Sequence, residues 1–226
     1  MTTRRDVLIA GVGAAVAATA ATAARSSAQG APGAILDEAA FVARIRSGAK
    51  HRQAIGAARV NDGAAMQFAA NTLNGFQNGW NEPADNVQIA VALFGSAVAL
   101  GLDHSVWQSN GIANIVKAFP GDWLTLDGSR GNPWATAIPA GPLTANRSIP
   151  ALLARNVRIF VCNTALGEIA NRIVAAGTVN GAGADAFAVQ AYLRAHVLPG
   201  CDIVPAGISS VAVLQENGYT YFSAAL

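Results

Sequence analysis

The sequence predicts an α/β domain built on a mostly parallel sheet with helices on both faces. Three observations carry this. Short apolar runs alternate along the chain with segments of helical spacing. Two of the runs, Val87 to Phe94 and Val157 to Cys162, are almost continuously apolar, as strands covered on both faces are. The C-terminal stretch then reads as a strand (Asp202 to Val204), a Pro205-Ala206-Gly207 turn, a helix from Ile208 to Gln215, an Asn217-Gly218 stop and a last strand from Thr220 to Phe222.

Taken in order, the chain starts with an address. Arg4-Arg5-Asp6 precedes a weakly apolar Ala/Gly-rich run from Val7 to Ala24, followed by Arg25-Ser26-Ser27-Ala28. Paired arginines, a mild apolar stretch and small residues at Ser26 and Ala28 fit a twin-arginine export signal over residues 1–28, cut after Ala28. The alternative is a membrane-spanning helix. Alanine and glycine contribute little transfer energy to it. The mature protein is therefore expected in a periplasm or outside the cell, with no membrane attachment after cleavage.

Residues 29–49 read as a leader with a helix over Asp37 to Arg46, packed on the domain surface or on a neighbouring subunit. From residue 50 a single domain runs to 226. Lys50 to Arg59 is its first strand, and Asp62 is placed to cap the helix Ala64 to Phe76. Pro83 to Asn86 turns into the strand Val87 to Phe94, which Gly95-Ser96 breaks. A helical stretch follows over Asp103 to Phe119, weakened by Gly111. Pro120 to Pro150 is rich in proline and glycine and reads as an irregular loop. Loops of that length are usually functional or assembly contacts. Then come a short helix (Ser148 to Ala154), the strand ending at Cys162, a helix (Thr164 to Ala175), a glycine-rich turn (Gly177 to Gly183) and a helix (Ala184 to Val197).

Composition narrows the function classes. The chain is 52% hydrophobic and only 12% charged. Without Arg4, Arg5, Asp6 and Arg25, the 15 basic and 13 acidic residues fall to 12 of each. A neutral domain with no Lys/Arg run does not track nucleic-acid phosphates, and low charge favours self-association. No HExxH, CxxC or paired Cys/His spacing occurs, so no metal site is expected. The glycine-rich segments lack the Gly-Lys-Ser/Thr of a phosphate loop, and no cofactor motif is present.

Four segments resemble the DsrE/DsrF-like sulfur-relay family over roughly residues 50–223. Asn71-Thr72-Leu73-Asn74 is similar to the family's first helix. Val87 to Gly95 is similar to its central strand, with Phe94 where the family often has histidine. Val161-Cys162-Asn163-Thr164-Ala165-Leu166 and the tail from Val204-Pro205-Ala206-Gly207 to Tyr219-Thr220-Tyr221 are similar to its later motifs. The resemblance implies a flavodoxin-like three-layer sandwich with a five-stranded sheet, assembly into homo-trimers or hexamers, and in some members sulfane sulfur carried on a cysteine. Other members of such a fold would bind a small ligand without catalysis, or act as scaffolds.

The chemistry-bearing residues gather at one edge. Ligands of open α/β sheets bind at the carboxyl ends of the strands. Cys162 ends a strand there, just before a helix whose N-terminus lowers a thiol pKa. It is either a thiolate nucleophile and persulfide carrier or a small buried packing residue. Cys201 begins the next parallel strand, at the opposite edge, so the two cysteines are expected to stay unbridged. Gly95, Ser96, Asn163, Thr164, Pro205 and Gly207 lie at the same edge as Cys162 and are the candidate ligand-binding residues. Thr164 is also a natural helix cap. His104 is a candidate base or an exposed neighbour of a cap. Trp107, Trp123 and Trp134 flank the long loop, as an aromatic pocket or as interface packing.

Overall fold

The computed structural model describes residues 33–136, 147–179 and 185–224. The expected export signal over residues 1–28 with its cleavage point, residues 137–146 of the long loop, and residues 180–184 of the glycine-rich turn lie outside the described residues. Five strands form one sheet: β1 (His51–Ala57), β2 (Val87–Leu93), β3 (Arg158–Cys162), β4 (Cys201–Val204) and β5 (Thr220–Ser223). Their order is β4-β3-β2-β1-β5, and every neighbouring pair is parallel. The chain winds one strand at a time from β1 to β4, then returns once to set β5 beside β1. Right-handed crossovers put the forward connections on one face of such a sheet and the single return on the other.

The side chains follow that rule. On the forward face, Ile55, Ile89, Val91, Leu93, Ile159 and Val161 pack with the buried residues of six helices. These are α2 (Ala64–Asn74), α3 (His104–Ser109), α4 (Ile112–Lys117), α5 (Ile149–Ala154), α6 (Asn163–Ala175) and α7 (Ala186–Ala195). The intervening strand residues Ala54, Ala90, Phe160 and Val204 meet the other layer. That layer consists of α1 (Glu38–Ile45) and the return helix α8 (Gly207–Glu216), which contribute Phe41, Ile45 and Leu214. The result is a three-layer α/β/α sandwich of the flavodoxin-like kind.

Two local expectations change. The stretch from Asp103 to Phe119 is two helices, α3 (His104–Ser109) and α4, because Gly111 takes a left-handed conformation (φ 62°) between them. Asp62 does not cap α2. It sits in a left-handed run with Asn61 and Gly63, and its carboxylate instead accepts the Thr125 N–H at 2.6 Å and the Thr125 hydroxyl.

The leader helix α1 packs directly on the sheet. Asp37 caps it by accepting the Ala40 N–H at 2.7 Å. Phe41 meets Phe160 edge-on with ring centroids 4.8 Å apart. Arg44 donates through Nη2 and Nε to the two carboxylate oxygens of Asp202, at 3.0 and 2.9 Å. Burial pushes the Asp202 carboxyl up, and Arg44 pulls it part of the way back. Residues 35–36 extend the leader along the outer border of β4: Ile35 bridges Ile203, and the Leu36 N–H donates to the Ile203 carbonyl at 2.8 Å.

The buried Tyr219 hydroxyl donates to the Ile45 carbonyl at 2.7 Å, and burial lifts its pKa to about 12. Tyr219→Phe leaves that carbonyl without its donor. The expected cost is about 1–2 kcal/mol, read as a lower urea midpoint at unchanged slope.

A second polar clamp ties the start of β1 to the turn before β2. Glu82 Oε1 accepts Lys50 Nζ at 2.6 Å and lies 3.2 Å from His51 Nε2, while Oε2 accepts Asn86 Nδ2 at 3.1 Å. These bonds, that of Lys50 first, hold the Glu82 carboxyl down from 4.5 to about 2. A depressed carboxyl contributes stability above its unfolded pKa and loses it as pH falls through the folded value. The stability gap between the native protein and Glu82→Gln should therefore close as pH drops from 4.5 towards 2, which denaturant titrations at stepped pH would read.

Candidate functional site at the carboxyl rim of the sheet

The connection after β3 leaves towards the forward face and that after β4 towards the return face. Adjacent strands whose connections diverge open a crevice at their carboxyl ends, where open α/β sheets take their ligands. Cys162-Asn163-Thr164 form one lip of this crevice and Pro205-Ala206-Gly207 the other. The structure thus brings five of the expected residues together.

Each has a defined partner. Cys162 ends β3, and its Sγ accepts the Ala165 N–H at 3.4 Å, which makes the sulfur itself the cap of α6. It is 4% exposed and belongs to the forward-face core. Thr164, expected as the cap, instead crosses the crevice: its N–H and its hydroxyl both donate to the Pro205 carbonyl, at 3.2 and 3.0 Å. Asn163 is held from the α7 side, where Gln190 Nε2 donates to its carbonyl at 2.8 Å and to its Oδ1 at 3.1 Å. Gly207 opens α8 beneath Phe94, where an added Cβ would lie 2.8 Å from Phe94 Cβ.

Gly95 and Ser96 stand at the end of β2, but they do not present a hydroxyl to solvent. Ser96 is 1% exposed. Its Oγ donates to the Asp122 carboxylate and lies 3.3 Å from the Ala58 carbonyl. The same carboxylate accepts the N–H groups of Val60 (3.1 Å), Asn61 (3.0 Å) and Trp123 (2.8 Å). Asp122 thus fastens the long loop to the ends of β1 and β2. Nothing in the sequence marks it beyond an aspartate beside Gly121 in an irregular stretch.

His104 stays apart. Its Nε2 lies 3.2 Å from Thr136 Oγ1, and its ring packs against Gly131. Among the described residues no hydrogen bond takes it to the rim. Trp107 and Trp134 are core residues rather than pocket walls, 1% and 2% exposed; the Trp107 indole N–H donates to the Ala99 carbonyl at 2.8 Å. Cys201 lies opposite Ile159, and Cys162 opposite Val204, so the thiols sit at opposite ends of neighbouring strands and both are free. Burial, with the Asp202 carboxylate beside it, pushes the Cys201 thiol far up.

Beside Pro205 the rim opens into a cleft of about 220 Å³ between the starts of α1 and α8. Phe41, Pro205 and Val213 supply apolar wall, and Asp37, Glu38 and Ser209 polar groups. Leader residues were not among the expected site residues, since only the return of the chain to β4 brings them here. A more open cleft of about 330 Å³ lies between α4 and α6, and none of the expected residues lines it. Among the described residues no group of three or more His, Cys, Asp or Glu is placed to hold a metal ion, and no helix is long and apolar enough to cross a membrane.

No family model, curated protein or solved structure matches this chain. The functional reading therefore rests on the rim itself.

Proposed function

We propose that this is an exported DsrE-like protein that binds a small ligand in the cleft beside Pro205 at the carboxyl rim of the sheet, between the starts of α1 and α8, with Cys162 serving as a structural cap. The observation that carries this reading is the contrast at the rim. The Cys162 sulfur is buried and engaged with the Ala165 N–H, while the cleft beside Pro205 is open to solvent and bordered by both apolar and polar groups. Pockets of that mixed character bind small molecules. The twin-arginine start sends this binding to the periplasm or beyond.

Sulfur carriage on Cys162 is the second reading, favoured by one observation: Sγ stands at the N-terminus of a 13-residue helix and accepts the Ala165 N–H there. The step would be attack of the thiolate on a sulfane sulfur of a donor, forming a persulfide and releasing the donor's remainder as a thiolate or sulfite-type anion.

Thiol labelling of the native protein separates the two. As a cap, Cys162 should react with a maleimide about a hundredfold or more slower in the folded than in the urea-unfolded chain, because only structural opening exposes it. Rapid labelling near neutral pH, or a one-sulfur mass gain that Cys162→Ser abolishes, overturns the binding reading in favour of the carrier.

A further inference from the structure

The polar side chains of the cleft beside Pro205 are Asp37, Glu38, Ser209 and Ser210, and all four act as acceptors. An ionised carboxylate accepts and cannot donate. One Asp37 oxygen takes the Ala40 N–H; among the described residues its other oxygen and both oxygens of Glu38 have no partner. A serine hydroxyl has one proton, and both serines direct theirs to the Ala206 carbonyl, Ser209 at 3.0 Å and Ser210 at 2.8 Å. What remains of each hydroxyl is an acceptor oxygen. No basic residue lines the cleft, so its two carboxylates stand without a cation in the wall. The rest of the lining is apolar, with Leu36, Phe41 and Val213 supplying carbon surface. Its volume of about 220 Å³ falls below the roughly 300–1,000 Å³ of pockets for drug-sized molecules, so the occupant is small.

We infer that the cleft takes a small primary amine in its ammonium form, with the charge at Asp37 and Glu38 and the hydrocarbon against Phe41 and Val213. This rests on the cleft being the ligand site. An ammonium brings three donors and no acceptor, which is the complement of this lining, and its hydrogen bonds to carboxylates are charge-assisted. An anion would face two carboxylates. A neutral alcohol or amide would bring an acceptor that none of the lining side chains can answer, and specificity follows from such mismatches as much as from the matched contacts.

The test is a titration of the amide resonances of the isotope-labelled full chain with three probes of similar shape: phenethylamine, phenethyl alcohol and hydrocinnamate. The amine is expected to shift the resonances of residues 36–41 and 209–213 saturably, with an affinity about fivefold or more above that of the alcohol, because two exposed ion pairs act together where each alone contributes little. Hydrocinnamate should bind more weakly than either. Asp37→Asn combined with Glu38→Gln keeps both shapes and, through asparagine, the cap of α1. It should weaken the amine about fivefold and leave the alcohol unchanged. Should the double variant fail to fold, Glu38→Gln alone changes a side chain that nothing in the fold engages, and should weaken the amine about twofold to threefold. If the alcohol or hydrocinnamate binds these residues as tightly as the amine, or if neither variant weakens the amine, the amine is overturned and the cleft stands as a site for another class. If none of the three probes shifts these resonances, the amine and the cleft as a ligand site are overturned together.

Discussion

Gly95→Ala is expected to destabilise the protein by about 3 kcal/mol or more, enough to prevent accumulation of folded chain at growth temperature. Two effects add. Gly95 has φ 51°, in the left-handed region that an L side chain enters only with strain. A Cβ there would also lie 2.4 Å from the Ala58 carbonyl oxygen. That oxygen cannot retreat cheaply. The Ala57 carbonyl beside it accepts the Phe94 N–H at 2.9 Å, and Val60 two residues on is bound to Asp122, so the backbone is fixed on both sides of the clash. Gly75→Ala is the matched control. Gly75 has helical φ (−60°), and nothing lies within 4 Å of its added Cβ. That substitution should raise stability by about 0.5 kcal/mol, through the unfolded chain. Urea midpoints of the two variants moving in opposite directions would confirm the assignment, and equal shifts would refute it.

Asp122→Ala should cost about 2–4 kcal/mol. One carboxylate satisfies three backbone N–H groups and the Ser96 hydroxyl, and removing it strands buried donors, each worth about 1–3 kcal/mol when unpaired. Water reaches part of this site and keeps the total below the simple sum. Asp122→Asn retains an acceptor oxygen and should lose roughly half as much. Amide exchange gives the specific readout. The Val60, Asn61 and Trp123 protons should exchange faster in the alanine variant well before global unfolding, whereas uniform loss of protection would mean that the loop merely contributes to overall stability.

Much of the architecture was legible because burial on both faces leaves a simple trace. The runs Val87 to Phe94 and Val157 to Cys162 could hardly be anything but inner strands, and they are β2 and β3. Parallel pairing then fixed the separation of the cysteines, seen in the register Ile159↔Cys201 and Cys162↔Val204. What escaped was whatever depends on partners remote in sequence. Ser96 reads as a rim hydroxyl until Asp122 arrives from the long loop to engage it. The cap of α6 was assigned to Thr164 on residue preference, yet the preceding sulfur does the work and frees Thr164 to bridge to Pro205. Trp107 and Trp134 stand beside and within an irregular stretch in sequence, but both are buried in the core. The leader reads as peripheral because its apolar positions are few. Phe41, Ile45 and Arg44 nevertheless find Phe160, Tyr219 and Asp202.

The single backward step of the winding also governs when the molecule can exist. The first strand made finds its outer neighbour only in the last one made, since Gln53 to Gly56 wait for Thr220 to Ser223. A ribosome-bound chain lacking those residues leaves β1 bare on one flank, so native structure cannot accrete fully from the amino end and must close in a late, concerted event. Premature termination before residue 220 would then yield sticky, protease-sensitive fragments rather than a smaller working domain.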